Sequence, residues 1–360
     1  MKELIHAEVE KLLIFESSNL TDALRQMDKV GKKILIVTSL DGKYKSIVSV
    51  GDIQRHLIEN QDFTATISRV LRPTVRVANI YQRIEEIKKE MLEYRMELMP
   101  VVDNKELIGV YFWEDIFGEV RRKKDTHLNL PVVIMAGGKG TRLQPLTNVI
   151  PKPLIPVGDK TILEVIMDRF VDVGCHEFYM SVNYKATTIK HYLSELNNKE
   201  YQVSYFQEDK PLGTAGSMYL LKDKLHSTFF VSNCDIIIDQ DLEDIYEYHK
   251  NNKNDITIVS ALKHHTIPYG TIETEKNGVL IKLSEKPQVT YQINTGVYIL
   301  EPHVLNNIPE DEFYHITHLI ENVKENNGKI GVFPISEGAW QDIGEWDEYK
   351  KVLASNGFII

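Results

Sequence analysis

Cysteine is scarce: Cys175 and Cys234 are the only two thiols in 360 residues. That is too few for a disulfide framework and fits a reducing compartment, with both expected as small buried residues. Also missing is any apolar run approaching the roughly 20 residues that cross a bilayer. The first residues, MKELIHAEVEKLLIFESS, scatter acidic side chains through the apolar stretch, where a signal peptide keeps an unbroken apolar segment after a basic start. A basic excess is absent too, since 42 Lys and Arg face 52 Asp and Glu for a net charge of −10. Binding along a nucleic-acid backbone needs the opposite balance. These absences imply a cytoplasmic protein with neither a membrane nor a nucleic acid as partner.

What is present is length for two domains, each able to bury a core. The first third carries an internal repeat. Leu35-Ile36-Val37 followed by Ser46 to Ile53 (SIVSVGDI) is echoed by Pro100-Val101-Val102 followed by Gly109 to Ile116 (GVYFWEDI). Each unit reads as an amphipathic helix, a buried strand, a turn at Asp-Gly or Asn-Lys, a second strand and a closing helix. Neither unit covers its own sheet, so the two are expected to pack on each other.

This pattern resembles a tandem pair of CBS domains over residues 1–122. The resemblance implies an adenine nucleotide held by a hydroxyl and an Asp three residues later, a spacing kept by Ser49 and Asp52. The second unit has Phe112 at the hydroxyl position and keeps only Asp115. Ser49 with Asp52 is equally a helix N-terminal cap. The charged stretch that follows reads as a linker, taken as 123–130.

From 131 to 360 strands alternate with helices. Val132 to Ala136, Phe178 to Val182, Val203 to Phe206, Phe229 to Asn233 and Ile256 to Ala261 are short runs rich in β-branched and aromatic residues. Helical patterns separate them. The expectation is an α/β fold: a mainly parallel, Rossmann-like sheet with helices on both faces and its ligand at the carboxyl ends of the strands.

Directly after the first of these strands comes AGGKGTRLQPLTNVIPKP. Gly137, Gly138 and Gly140 let the backbone turn tightly and offer N–H groups to an anion, while Arg142 and Lys152 add fixed positive charge. The run lacks both the G-x-G-x-x-G of a dinucleotide fold and the G-K-[ST] of a P-loop. It resembles the signature of the sugar-1-phosphate nucleotidyltransferases, and the likeness extends from Val132 to Tyr349. A second loop, Glu208 to Ser217, contains Gly213 and Gly216 flanking a turn that brings backbone close to a flat ring. Asp235 ends an apolar strand, where an isolated Asp is more often a turn-former. Asp342 precedes a helical segment near the C-terminus. The tripeptides at 268–270, 285–287 and 294–296 read singly as ordinary loops. His264 and His265 are neighbours on a strand, point to opposite faces, and are not expected to bind a metal.

The resemblance implies roles for these residues. Gly137, Gly138, Gly140, Thr141, Arg142, Glu208, Gly213 and Thr214 would bind a nucleoside triphosphate. Asp235 and Asp342 would hold Mg2+, which accepts one or two protein carboxylates. Gly270, Glu285, Lys286 and Asn294 would bind a sugar-1-phosphate, with Arg142, Lys152, Asp235 and Lys286 serving catalysis. The expected reaction gives an NDP-sugar and pyrophosphate. In relatives using uridine or thymidine nucleotides an amide stands five residues before the loop glycine. Here Glu208 holds that position, and an acceptor-only carboxylate matches the two adjacent donors of guanine, so GTP is expected. A CBS pair before the transferase resembles the glucosamine-1-phosphate guanylyltransferases of legionaminic acid synthesis, which points to an amino sugar. Absent hexapeptide repeats, a C-terminal β-helix is not expected, and assembly into a homo-oligomer is assigned to the N-terminal module. The competing readings are a UTP- or dTTP-using relative, a glycosyltransferase of related fold, and a nucleotide-sensing regulator with an inactive transferase domain.

Overall fold

The computed structural model describes residues 9–94, 96–117, 127–196, 198, 200–208 and 210–355. They fall into two compact units. One takes in the described part of 1–122 with 263–291 and 336–338; the other takes in the described part of 123–262, 292–335 and 339–360.

In the first unit the repeat appears as two copies of one arrangement. The first copy runs β1 (Leu13–Phe15), α1 (Leu20–Val30), β2 (Ile34–Thr38), β3 (Tyr44–Ser49), α2 (Val50–Asn60). β1 lies parallel to β2, and β2 antiparallel to β3 with Ile36 opposite Ile47. α1 buries Leu20, Ala23, Leu24 and Met27, the one-sided spacing of an amphipathic helix, and Gly31 at φ 65° ends it. The second copy has Ala78 bridged in parallel to Val101, then α3 (Ile84–Glu93), β4 (Leu98–Asp103), β5 (Glu106–Phe112) and α4 (Trp113–Phe117). Its hairpin turns on Asn104 and Lys105, both at positive φ, which matches the twist of a two-residue turn. Tyr44 N–H donates to the Lys105 carbonyl at 2.8 Å, one backbone hydrogen bond between the two copies. Of the linker, 123–126 lies outside the described residues, as does the Asp115 side chain.

The rest of the chain runs β6 (Val132–Met135), α5 (Leu146–Val149), β7 (Pro156–Val157), β8 (Lys160–Thr161), α6 (Ile162–Val171), β9 (Glu177–Val182), α7 (Ala186–Glu195), β10 (Gln202–Gln207), α8 (Gly213–Gly216), β11 (Phe229–Asn233), β12 (Ile236–Ile238), α9 (Leu242–Asn252), β13 (Ile256–Thr266), β14 (Thr271–Thr274), β15 (Leu280–Ser284), β16 (Gln288–Leu300), α10 (Ile316–Glu325), β17 (Ile330–Ile335), β18 (Trp340–Asp342) and α11 (Trp346–Ser355). Seven strands form one sheet in the order β10-β9-β6-β11-β16-β13-β17. β10, β9, β6 and β11 are parallel, β16 runs antiparallel to β11, and β17 is parallel to β13. Val132, Val133 and Ile134 are all buried, as a strand covered on both faces requires. α6 starts at a capping box in which Thr161 and Glu164 satisfy each other's backbone N–H groups.

From β6 the chain winds outward through β9 to β10, then returns to lay β11 on the other side of β6. That reversal opens a crevice at the carboxyl ends of β6 and β11. One expectation is corrected here. Asn294 to Gly296 is not a loop but lies within β16, whose first half is polar and whose second half is buried, so no apolar run marked it.

Candidate active site

The crevice holds a cavity of about 490 Å³, within the range of small-ligand sites. Its floor is the loop leaving β6. Gly140 sits at φ 62°, and a Cβ there would fall 2.9 Å from Thr147 and 3.1 Å from Lys152. The Thr147 hydroxyl closes the loop by donating to the Gly140 carbonyl at 2.9 Å.

Lys152 and Asp235 meet at the bottom as a buried ion pair, the lysine 8% and the aspartate 9% exposed. Asp235 follows β11, and Asp342 ends β18. β12 and β18 pair antiparallel with Ile236 opposite Asp342, and Ile343 N–H donates to the Asp235 carbonyl at 2.9 Å. This short ribbon joins two aspartates that are far apart in the chain. Burial, then the neighbouring Asp235, pushes the Asp342 carboxyl above the usual range, against Lys152 and Arg142. Its Oδ1 is buried without a hydrogen-bond partner. An orphaned acceptor beside a second carboxylate fits a cation site of hard oxygen ligands.

Arg142 reaches across to Glu345 at 2.9 Å, and the Trp346 indole N–H donates to the Gln144 carbonyl at 3.1 Å. On the opposite wall Glu208 Oε2 accepts from Leu212 N–H at 2.9 Å. A Cβ on Gly137 would lie 3.3 Å from Glu208 Oε1. Burial holds the Glu208 carboxyl above its ordinary range, while the Leu212 N–H pulls the other way. Cys234 and Cys175 are buried free thiols, pushed by burial up to about 12 and about 11.

Gly137, Gly138, Gly140, Thr141, Arg142, Lys152, Glu208, Gly213, Thr214 and Asp235 therefore share one cavity. Gly270, Glu285 and Lys286 belong to the other compact unit, and Asn294 is outside the cavity lining. Asn294 turns inward, its amide donating to the Tyr298 hydroxyl and accepting from Gly296 N–H. A Cβ at Gly213 or Gly216 would strike the carbonyl oxygens of Tyr314 at 2.7 Å and Glu312 at 2.6 Å, so backbone packing too requires glycine at both positions. Ser49 and Asp52 form a helix capping box, and Asp52 also binds Arg55 and Arg72. His264 pairs with Thr290, and His265 is exposed.

Sequence reasoning missed Lys139, Asn183, Tyr184 and Gly344, which also line the cavity. Gly344 is the most telling. A Cβ there would meet Asp342 Oδ1 at 2.5 Å, Arg142 Nη2 at 2.9 Å and Lys152 Nζ at 3.2 Å. Its signal was the glycine two residues after Asp342.

Comparison with known proteins bears on the same segments. The CBS domain pattern matches residues 67–122, the second repeat. A mannose-1-phosphate guanylyltransferase catalytic subunit beta of Dictyostelium discoideum is 33% identical over 222 residues, 60% of this chain and 61% of that protein. Its namesake in Drosophila melanogaster is 36% identical over 230 residues, 59% of each chain. The chain thus spans about three fifths of the curated relatives it matches. Among solved structures, HddC from Yersinia pseudotuberculosis superposes with a TM-score of 0.50 at 28% identity, over 63% of this chain and 99% of that one. A second HddC structure, described as complexed with GMP-PN, is 26% identical, with a TM-score of 0.50 and the same coverage. The Nucleotidyl transferase pattern matches residues 131–356, well over half of the chain and all of the cavity just described, and the chain belongs to that family.

Proposed function

We propose that the chain transfers GMP from GTP to a sugar-1-phosphate and releases pyrophosphate. One juxtaposition carries this reading: the glycine loop with Lys139 and Arg142, the Lys152–Asp235 pair and Glu208 line one cavity at the carboxyl ends of β6 and β11, with Asp342 brought beside Asp235 by the β12–β18 ribbon. An oxygen of the sugar phosphate attacks the α-phosphorus. The new P–O bond forms as the bond to the bridging oxygen breaks, and pyrophosphate leaves with that electron pair. The attacking oxygen is already ionised near neutral pH, so no general base is needed, and catalysis consists of positioning and charge neutralisation. Arg142 and the N–H groups of Gly137 to Gly140 hold the β- and γ-phosphates, while Lys152 and Lys286 balance charge at the reacting phosphates. Asp235 and Asp342 fit Mg2+, which when bound supplies Lewis-acid neutralisation of the phosphates.

Guanine is favoured by Glu208, whose Oε1 accepts no hydrogen bond among the described residues and can accept from the base, and by the guanylyltransferase names of the relatives. For the sugar, glucosamine-1-phosphate follows from the domain order, and mannose-1-phosphate has the relatives' names behind it. Gly270, Glu285 and the remaining N–H of Asn294 serve the sugar hydroxyls. We assign 1–122 to a tandem CBS module, 123–130 to a linker and 131–360 to the transferase, in a cytoplasmic homo-oligomer. An adenine nucleotide at Ser49 and Asp52 has to displace Arg55 or Arg72 from the carboxylate. The test is pyrophosphate release from four triphosphates against a panel of sugar-1-phosphates. Release from GTP with one of the panel supports the reading; no release from any pair, or use of an NDP-sugar without pyrophosphate, overturns it.

A further inference from the structure

We infer that Asp28, in the last turn of α1, is a positioning residue for the hairpin β14–β15, and through it for the sugar-1-phosphate; this rests on the assignment of Gly270, Glu285 and Lys286 to the sugar side. Asp28 accepts hydrogen bonds from the Ser336 hydroxyl at 2.7 Å and from Gly338 N–H at 2.9 Å. The approach is so close that a Cβ on Gly338 would lie 2.6 Å from the Asp28 carboxyl carbon. Between those two donors stands Glu337, which accepts from His264 N–H at 3.3 Å, and His264 in turn meets the Thr290 hydroxyl at 2.9 Å.

One connected set of bonds thus runs from α1 to the roots of both hairpin strands. Arg25, Asp28 and Asp22 of α1 all act electrostatically on His264, whose imidazole is held below its ordinary range chiefly by burial. Farther out, Ile272, Leu280, Ile281 and Leu283 are 58–66% exposed. Side-chain packing at those positions does little to orient the hairpin, which leaves its direction to the root.

The test uses the full chain with Asp28→Ala and Asp28→Asn. Two charge-assisted hydrogen bonds at a partly exposed position give an expected rise of roughly 3- to 10-fold in KM for the sugar-1-phosphate in the alanine variant. The asparagine variant, which keeps one acceptor, falls between. KM for GTP is expected to stay within about 2-fold. Ser336→Ala should move the same parameter, and the double variant should add little to Asp28→Ala alone, since both remove one interaction. Amide exchange of residues 263–267 and 287–291 is expected to quicken in Asp28→Ala, a readout that needs no turnover. Unchanged exchange, or KM values for both substrates rising together, overturns the inference. Quickened exchange in a protein that turns over no substrate pair keeps the positioning of the hairpin and sinks the functional reading instead.

Discussion

Asp235 and Asp342 stand side by side, yet replacing them should move stability in opposite directions. Asp235 is the counter-ion of buried Lys152. Its amide substitute keeps the shape but takes away the direct counter-ion of an ammonium group in a place 8% exposed, leaving only the more distant Asp342 to offset it. Breaking a buried pair on one side costs roughly 3–5 kcal/mol, and we take about 3 because the amide oxygen still accepts one hydrogen bond. For a unit of this size that is a fall of about 6–12 °C in melting temperature. Asp342 is the reverse case. Its carboxylate is buried, faces Asp235 and has an oxygen without a partner, so Asp342→Asn removes a like-charge contact and should raise the melting temperature slightly. The assay is thermal unfolding of both variants in a chelator, followed by turnover at saturating Mg2+, where each should lose roughly 100-fold or more. Equal destabilisation by both substitutions would falsify the charge assignment, and near-normal turnover in either would remove that residue from the metal site.

Gly344→Ala should abolish most turnover while leaving the circular dichroism spectrum intact, because the new methyl must displace Asp342 and Arg142; weakened binding of a GTP analogue checks it without turnover. Glu208→Gln should shift the ratio of kcat/KM for GTP over UTP toward UTP by roughly 5- to 150-fold; an unchanged ratio means Glu208 does not read the base. In the wild type the same ratio should fall as pH is lowered, since burial raises the Glu208 pKa and protonation converts an acceptor into a donor. Titration of the full chain with AMP, ADP and ATP should show binding lost in Asp52→Ala; no heat and no change in rate assigns the module a purely structural part.

The parallel core was legible in the sequence because strands buried on both faces are continuous apolar runs: β6, β9, β10 and β11 begin and end within a residue or two of the runs that marked them. β16 was not, since half of it is polar and pairs at the edge of burial. The glycine loop, Lys152 and the aspartates were found by residue type and order. Their partners were not, because Glu345 and Gly344 acquire meaning only when β12 and β18 pair and draw the C-terminal segment over the loop. The capping box at Ser49 shows the opposite failure: the same two residue types serve a helix end and a ribose, and spacing cannot separate the two uses.

The pairing pattern of the cavity bears on how two anions can be brought together in it. Lys152 is already matched by Asp235, and Arg142 by Glu345. Lys139 has no carboxylate partner among the described residues; Glu208 adds a further acid to the lining, and Asp342 stands just behind it beside Asp235. A pocket balanced in this way gives a bare triphosphate little attraction. The Arg142–Glu345 pair is exposed on both sides, so it is worth about 0–1 kcal/mol and opens readily to a phosphate. The Lys152–Asp235 pair is buried and costs more to separate. On the proposed reading, a cation held by Asp235 and Asp342 would supply part of the positive charge that the reacting phosphates need. High salt should weaken the Arg142 contribution and leave the buried pair nearly untouched. Salt titration of GTP binding in the wild type and in Arg142→Lys separates the two: the salt dependence should persist in the lysine variant with a weaker absolute affinity, and a variant indistinguishable from the wild type would take Arg142 out of the triphosphate site.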